Sequence, residues 1–124
     1  MKKYLHPLQL FTFVILLLVF SCEKDILSDN TCNVDNPLEQ LDWLKNTIQI
    51  IEQSNPEWSK YYLISMAKYK GETVFIQSNC NPLANSVFPV LNCSGQLLGV
   101  LGEIPLESLS DRNVIWKSVN SACQ

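Results

Sequence analysis

The side chains able to do chemistry in this chain of 124 residues are five cysteines, twelve carboxylates and a single histidine. The histidine is His6, inside a leader that export would remove. Beyond it there is no imidazole for base catalysis, no Ser-His or Cys-His pair and no histidine metal ligand. Glu103 and Glu107 flank Pro105, and a carboxylate pair can serve as acid and base in glycoside hydrolysis. Such enzymes need a long cleft, which so small a chain can hardly enclose, so the pair reads as solvated surface. Asp29, Asn30, Asn33, Asp35 and Asn36 offer oxygen ligands for Ca²⁺. They lack EF-hand spacing and the glycine its turn requires, so they read as linker polarity. Gly99-Val100-Leu101-Gly102 has no following Lys-Ser/Thr, as a phosphate loop would. No metal or cofactor is expected.

The leader decides the compartment. Lys2 and Lys3 precede an apolar run from Phe11 to Phe20, then Ser21-Cys22. A run of roughly ten apolar residues is a secretory signal, because a membrane-spanning helix takes about 20. Val19-Phe20-Ser21-Cys22 resembles the bacterial lipobox, whose cysteine becomes the first mature residue and carries acyl groups. The expectation is a signal over residues 1–21 and an exported, lipid-anchored chain on the periplasmic or cell-surface side of an outer membrane. Residues 22–124 leave 103, enough for one domain. Without Lys2 and Lys3, seven basic residues face twelve acidic ones, a net charge of −5. There is no basic stripe for nucleic acid.

Setting Cys22 aside leaves Cys32, Cys80, Cys93 and Cys123. An even count in an exported small domain predicts two disulfides, with three connectivities open. A Cys₄ zinc site is the alternative, disfavoured because the spacings of 48, 13 and 30 contain no Cys-x-x-Cys knuckle. The expected pairing is Cys80–Cys93 within a sheet unit and Cys32–Cys123 between the chain ends. Paired cysteines are unavailable as nucleophiles.

The elements that must position these residues begin after a polar tether, residues 22–35. Its Glu23-Lys24-Asp25 resembles the charged start that directs some lipoproteins of Bacteroidota to the cell surface. Asn36-Pro37-Leu38-Glu39 predicts a helix start, with Asn capping and Pro at the first helical position. Leu38, Leu41, Leu44, Ile48 and Ile51 recur at spacings of three and four as one apolar face, up to Ser54-Asn55-Pro56. Tyr61–Tyr69, the turn Lys70-Gly71 and Thr73–Gln77 predict a hairpin. A second unit runs from Val87 to Leu101 around Asn92-Cys93-Ser94-Gly95, with Pro89 marking an edge or a bulge. Ile104–Leu109 suggests a short helix. Val114–Val119 reads as strand or helix, with strand preferred. The expected fold of residues 36–124 is α+β: an N-terminal amphipathic helix across an antiparallel β-meander of about four to five strands.

Asn36-Pro37-Leu38-Glu39-Gln40-Leu41-Asp42-Trp43-Leu44-Lys45 resembles the opening of an uncharacterised family of small Bacteroidota lipoproteins. Tyr69–Phe75, Leu91–Gln96 and Val114-Ile115-Trp116 match later segments of its pattern in order. Where that family places further cysteines after the Cys93 turn, this chain has Leu98 and Gly99. The resemblance implies a localisation and a fold, and no activity.

Aromatic residues are the remaining signal. Trp43, Trp58, Tyr61, Tyr62 and Trp116, with Tyr69, Phe75 and Phe88, are many for a small domain. Adjacent strand positions would send Tyr61 and Tyr62 to opposite sheet faces, so one cannot meet the helix. Such a surface can bind a protein or a glycan, while core and rim packing is the simpler account. Two functions stay open: a non-catalytic envelope protein that binds a partner, including an inhibitor of an extracellular enzyme, and a small hydrolase using carboxylates alone. Cys22→Ala should abolish incorporation of labelled palmitate fed to cells. Equal detergent partitioning of wild type and variant would reject the anchor.

Overall fold

The computed structural model describes residues 32–124; Cys22, the leader and the start of the tether lie outside them. Five antiparallel strands form one sheet: β1 (Tyr62–Tyr69), β2 (Glu72–Asn79), β3 (Pro89–Leu91), β4 (Leu97–Val100) and β5 (Leu109–Lys117), in the order β4-β3-β2-β1-β5. With a few short helices this is an α+β fold. The first four strands are a meander, and the fifth departs from the expected one. The chain leaves β4, crosses the sheet and adds β5 beside β1 at the far edge.

The helical segment is broken in two. Asn36 caps α1 (Pro37–Gln40) by accepting the Leu38 N–H on Oδ1, and Gln40 Oε1 accepts the Asn36 N–H at 2.8 Å. Leu41 is extended, with φ −92° and ψ 102°, and α2 (Asp42–Gln53) restarts behind it. Asp42 sits in the first turn of α2, where a carboxylate suits the freed N–H groups. A third turn of helix, α3 (Pro56–Ser59), is capped by Asn55.

Alternation in the strands sends side chains to two faces, and both are covered. On one, Ile64 and Phe75 bury against Leu44 of α2, with Leu38, Leu41, Trp43, Ile48 and Met66 around them. On the other, Ala67, Val74, Ile76 and Val90 bury against Ile104 of the β4–β5 crossover and Leu109, the first residue of β5. The crossover includes a single 3₁₀ turn, Leu106–Ser108. Thr73 through Ile76 are consecutively buried as a result.

β5 spends nine residues opposite the seven of Leu63–Tyr69, and two bulges absorb the excess. One lies between the Ile64↔Trp116 and Ser65↔Val114 pairs, and brings both Ile115 and Trp116 to the Leu44 cluster. At the other, Asp111 has φ +52°, which Asp tolerates better than most residues. Oriented to hydrogen-bond, the Asn113 amide donates to the carbonyls of Asp111 at 3.2 Å and Met66 at 3.3 Å. Pro89 opens an interior strand, not an edge. It pairs only with Val100 of β4, because β2 meets β3 through Phe75 and Ile76 alone, so no ladder donor is missed there.

The cysteines pair as Cys32–Cys93 and Cys80–Cys123, correcting the expected Cys80–Cys93 and Cys32–Cys123. Strand direction is the reason. β3 runs back along β2, so Cys93 comes beside Thr73, with its Sγ 3.7 Å from the Thr73 carbonyl oxygen. Cys80 follows the opposite end of β2, seven residues or roughly 23 Å away at strand rise, far beyond disulfide reach. In the chain-entropy account, loops of 61 and 43 residues contribute about 4 kcal/mol each.

Trp43 joins α2 to the β3–β4 turn. Its Nε1–H donates to the Cys93 carbonyl at 2.8 Å, and its ring meets Phe75 edge-on at 5.4 Å. A Cβ at Gly95, whose φ is +77°, would stand 2.7 Å from the indole. Trp43→Ala should cost on the order of 3 kcal/mol, the lower end for a large ring because this one is half-buried. Gly95→Ala should destabilise through the same contact. Additive losses in the double variant, measured by denaturant unfolding, would show that the two sites are not coupled.

Candidate binding surface

Hydrogen bonds and disulfides divide the domain into two ends. Cys32, the Lys70-Gly71 turn and the Cys93 turn gather at one. At the other are the start of β1, the end of β2, the loop 80–88, α3 and the C-terminal tail. There the Cys80 N–H donates to the Tyr61 carbonyl at 2.9 Å, Ser118 to Tyr62 at 3.1 Å, and Ala122 to Lys60 at 2.8 Å. Cys80–Cys123 locks this end, with Cys123 Sγ 3.1 Å from the Tyr61 carbonyl oxygen. β2 spans about 25 Å between the two ends at strand rise.

The aromatic candidates separate accordingly. Trp43 and Trp116 pack against the Leu44 cluster on the helix face. Trp58 stands on α3 at the Tyr62 end, 61% exposed. Tyr61 precedes β1, so strand alternation does not govern its side chain. Its ring carries Lys60 Nζ at 5.3 Å from the centroid. Lys60 also pairs with Glu57 at 2.8 Å. That hydrogen bond holds the Glu57 carboxyl below and the Lys60 ammonium above their ordinary values. Tyr62 lines a cavity of about 340 Å³ with Gln77, Ser78, Asn79, Ser86, Val87 and Pro89, in the gap where β2 outruns β3. Leu83, Val87 and Val119 are exposed at this same end. Sequence reasoning missed these three aliphatic residues, because exposure in a loop or a tail leaves no periodic mark.

A second cavity at this end, about 220 Å³, is lined by Glu52, Pro56, Ser59, Ser118, Val119 and Asn120. Ser118 is 5% exposed and its Oγ has no hydrogen-bond partner. A buried hydroxyl left unpaired costs roughly 1–3 kcal/mol.

The catalytic candidates are not assembled. Glu103 and Glu107 are exposed on the crossover, away from the cavities at the Tyr62 end. Asn36 is spent as a helix cap, and Asp29 and Asn30 lie outside the described residues. Gly99 lies within β4 and Gly102 follows in a turn, with no α-helix N-terminus directly behind them. Among the described residues no three His, Cys, Asp or Glu side chains gather as a metal site, and no helix is long and apolar enough to cross a membrane. Comparison with family models, with curated proteins and with solved structures returns no match.

Trp58 should dominate the solvent-quenchable fluorescence. Acrylamide should quench wild type strongly and Trp58→Phe weakly, with unfolding midpoints unchanged, since surface substitutions fall within about 0.5 kcal/mol. Equal quenching of the two would place the accessible indole elsewhere.

Proposed function

We propose that this is a lipid-anchored envelope protein that binds a partner protein and performs no chemistry, with the Tyr62 end as its binding end. The observation that carries the reading is the exposure of Trp58, Leu83, Val87 and Val119 at the end of the sheet opposite Cys32. An anchor on Cys22 delivers the chain to the domain at Cys32. The opposite end then faces away from the membrane, about 25 Å further out along β2. Large apolar side chains held out there serve no folding purpose, and protein interfaces draw on such residues, tryptophan above all. Aliphatic neighbours favour a protein over a glycan, because sugars stack on aromatic faces and gain little from Leu83 or Val87.

The hydrolase alternative rests on Glu103 and Glu107, and their exposure on the crossover argues against it. An inhibitor of an extracellular enzyme is one form of the favoured reading, the partner then being the enzyme.

A photo-reactive amino acid replacing Trp58 or Val87 in cells should trap a discrete protein partner. The same group replacing Lys70, at the Cys32 end, should not. Crosslinking at Lys70 alone would move the binding end, and loss of the cellular phenotype in Glu103→Gln/Glu107→Gln would revive the hydrolase.

A further inference from the structure

The loop that follows Cys80 is uncharged, fixed along its main chain and apolar at its tip. The Cys80 N–H donates to the Tyr61 carbonyl at 2.9 Å, and the Asn81 N–H to Asn79 Oδ1 at 2.9 Å. Asn81 Oδ1 accepts the Leu83 N–H at 3.0 Å, and the Asn81 carbonyl accepts that of Ala84 at 3.1 Å. Pro82 has no N–H, so every main-chain donor from Cys80 to Ala84 has a partner within the chain. Cys80–Cys123 holds the start of the loop. On this support the Leu83 side chain stands 93% exposed, more than Trp58, Val87 or Val119. No Asp, Glu, Lys, Arg or His lies between Glu72 and Glu103. A leucine is thus held in water on a fixed turn, with no charge in its stretch of chain.

We infer that Leu83 is the anchor of the interface, a preformed knob that enters an apolar, uncharged pocket on the partner protein. The inference rests on the reading of the Tyr62 end as the binding end, and supplies the chemistry the partner must present there. A loop already fixed loses little freedom on binding, so burial of the leucine is retained as affinity. Interfaces place such an aliphatic anchor in a pocket, with charge depleted at the centre and polar groups around it. Asn85 and Ser86 follow in the same loop as uncharged polar groups, and the exposed Val87 extends the apolar contact. Pro82 and Leu83 are the central residues of the turn that the Ala84 N–H closes. The leucine therefore enters alone, and not within a strand added to a partner sheet. A membrane surface fits less well, because interfacial binding draws on Lys and Arg beside the apolar group, and this loop has neither. A second copy also fits less well, since the cavities at this end are lined mainly by polar side chains.

Competition tests this on the full-length protein, in detergent extracts of cells carrying the photo-reactive group at Trp58. Purified wild type should compete the crosslinked protein band away. Leu83→Asn, close to leucine in size but polar, should need roughly tenfold more, as the loss of a buried leucine implies. Leu83→Met, which keeps an apolar side chain of similar volume, should compete nearly as wild type. Both variants should melt with wild type, because the side chain they alter is 93% exposed. Equal competition by Leu83→Asn would overturn the inference while leaving the Trp58 crosslink, and the binding end, in place. A lower melting temperature in Leu83→Asn would mean that the leucine packs within the domain, and would also overturn it. A band at about twice the mass of the chain would make the occupant a second copy. Photo-label on lipid alone would make it the membrane, and either result rejects the pocket on a partner. No crosslink from Trp58 or Val87 in wild type would reject the binding-end reading, and this inference with it.

Discussion

Four consecutive buried residues in β2, Thr73 to Ile76, set the constraint from which the architecture follows. A strand alternates its side chains, so a strand buried at every position needs cover on both faces. Among the described residues only one helix has any length, α2, and it covers Phe75. The other face is covered by the crossover, through Ile104 within it and Leu109 where β5 begins. The crossover in turn carries the chain to the far edge and forces β5 beside β1. The topology is therefore a consequence of how a short chain buries Val74 and Ile76.

That route costs regularity at the edge, and β5 accommodates it with two bulges and the left-handed Asp111. The irregularity also has a use. A twisted, bulged edge bearing Arg112 and Lys117 is a poor template for a second strand. The first bulge also turns Ile115 and Trp116 together onto the helix-side core, which a regular strand could not do.

Much of this was legible from residues near one another in sequence. The hairpin around Lys70-Gly71 follows from β-prone runs flanking a turn, and the start at Asn36 from its capping chemistry. What sequence could not convey was direction over distance. Pairing Cys80 with Cys93 was plausible at a separation of 13 residues, until β3 is laid antiparallel to β2 and carries them to opposite ends. The break at Leu41 escaped because the apolar spacing continues through it: Leu38 and Leu41 still reach the same cluster. For the proposed site, aromatic richness did not separate Trp43 and Trp116, in the packing, from Trp58, outside it. A count has no depth; burial depends on which element each ring rides.

The two disulfides acquire their meaning from the same geometry. Each holds a segment without regular structure near the end of a strand: the segment bearing Cys32 at Cys93, the C-terminal tail at Cys80. Without Cys80–Cys123, the tail bearing Ser118 and Val119 would keep only hydrogen bonds, such as Ser118 to Tyr62, Ala122 to Lys60 and the Lys117 ammonium to the Cys123 carbonyl. A surface made of a loop, one turn of helix and a tail loses much of its binding free energy to ordering unless it is already fixed. The staple fixes it in advance, as the proposed binding role requires. A short chain thus holds its apolar groups outward on a rigid end, and the unpaired hydroxyl of Ser118 is tolerable there because the two covalent links supply stability that a core this small could not.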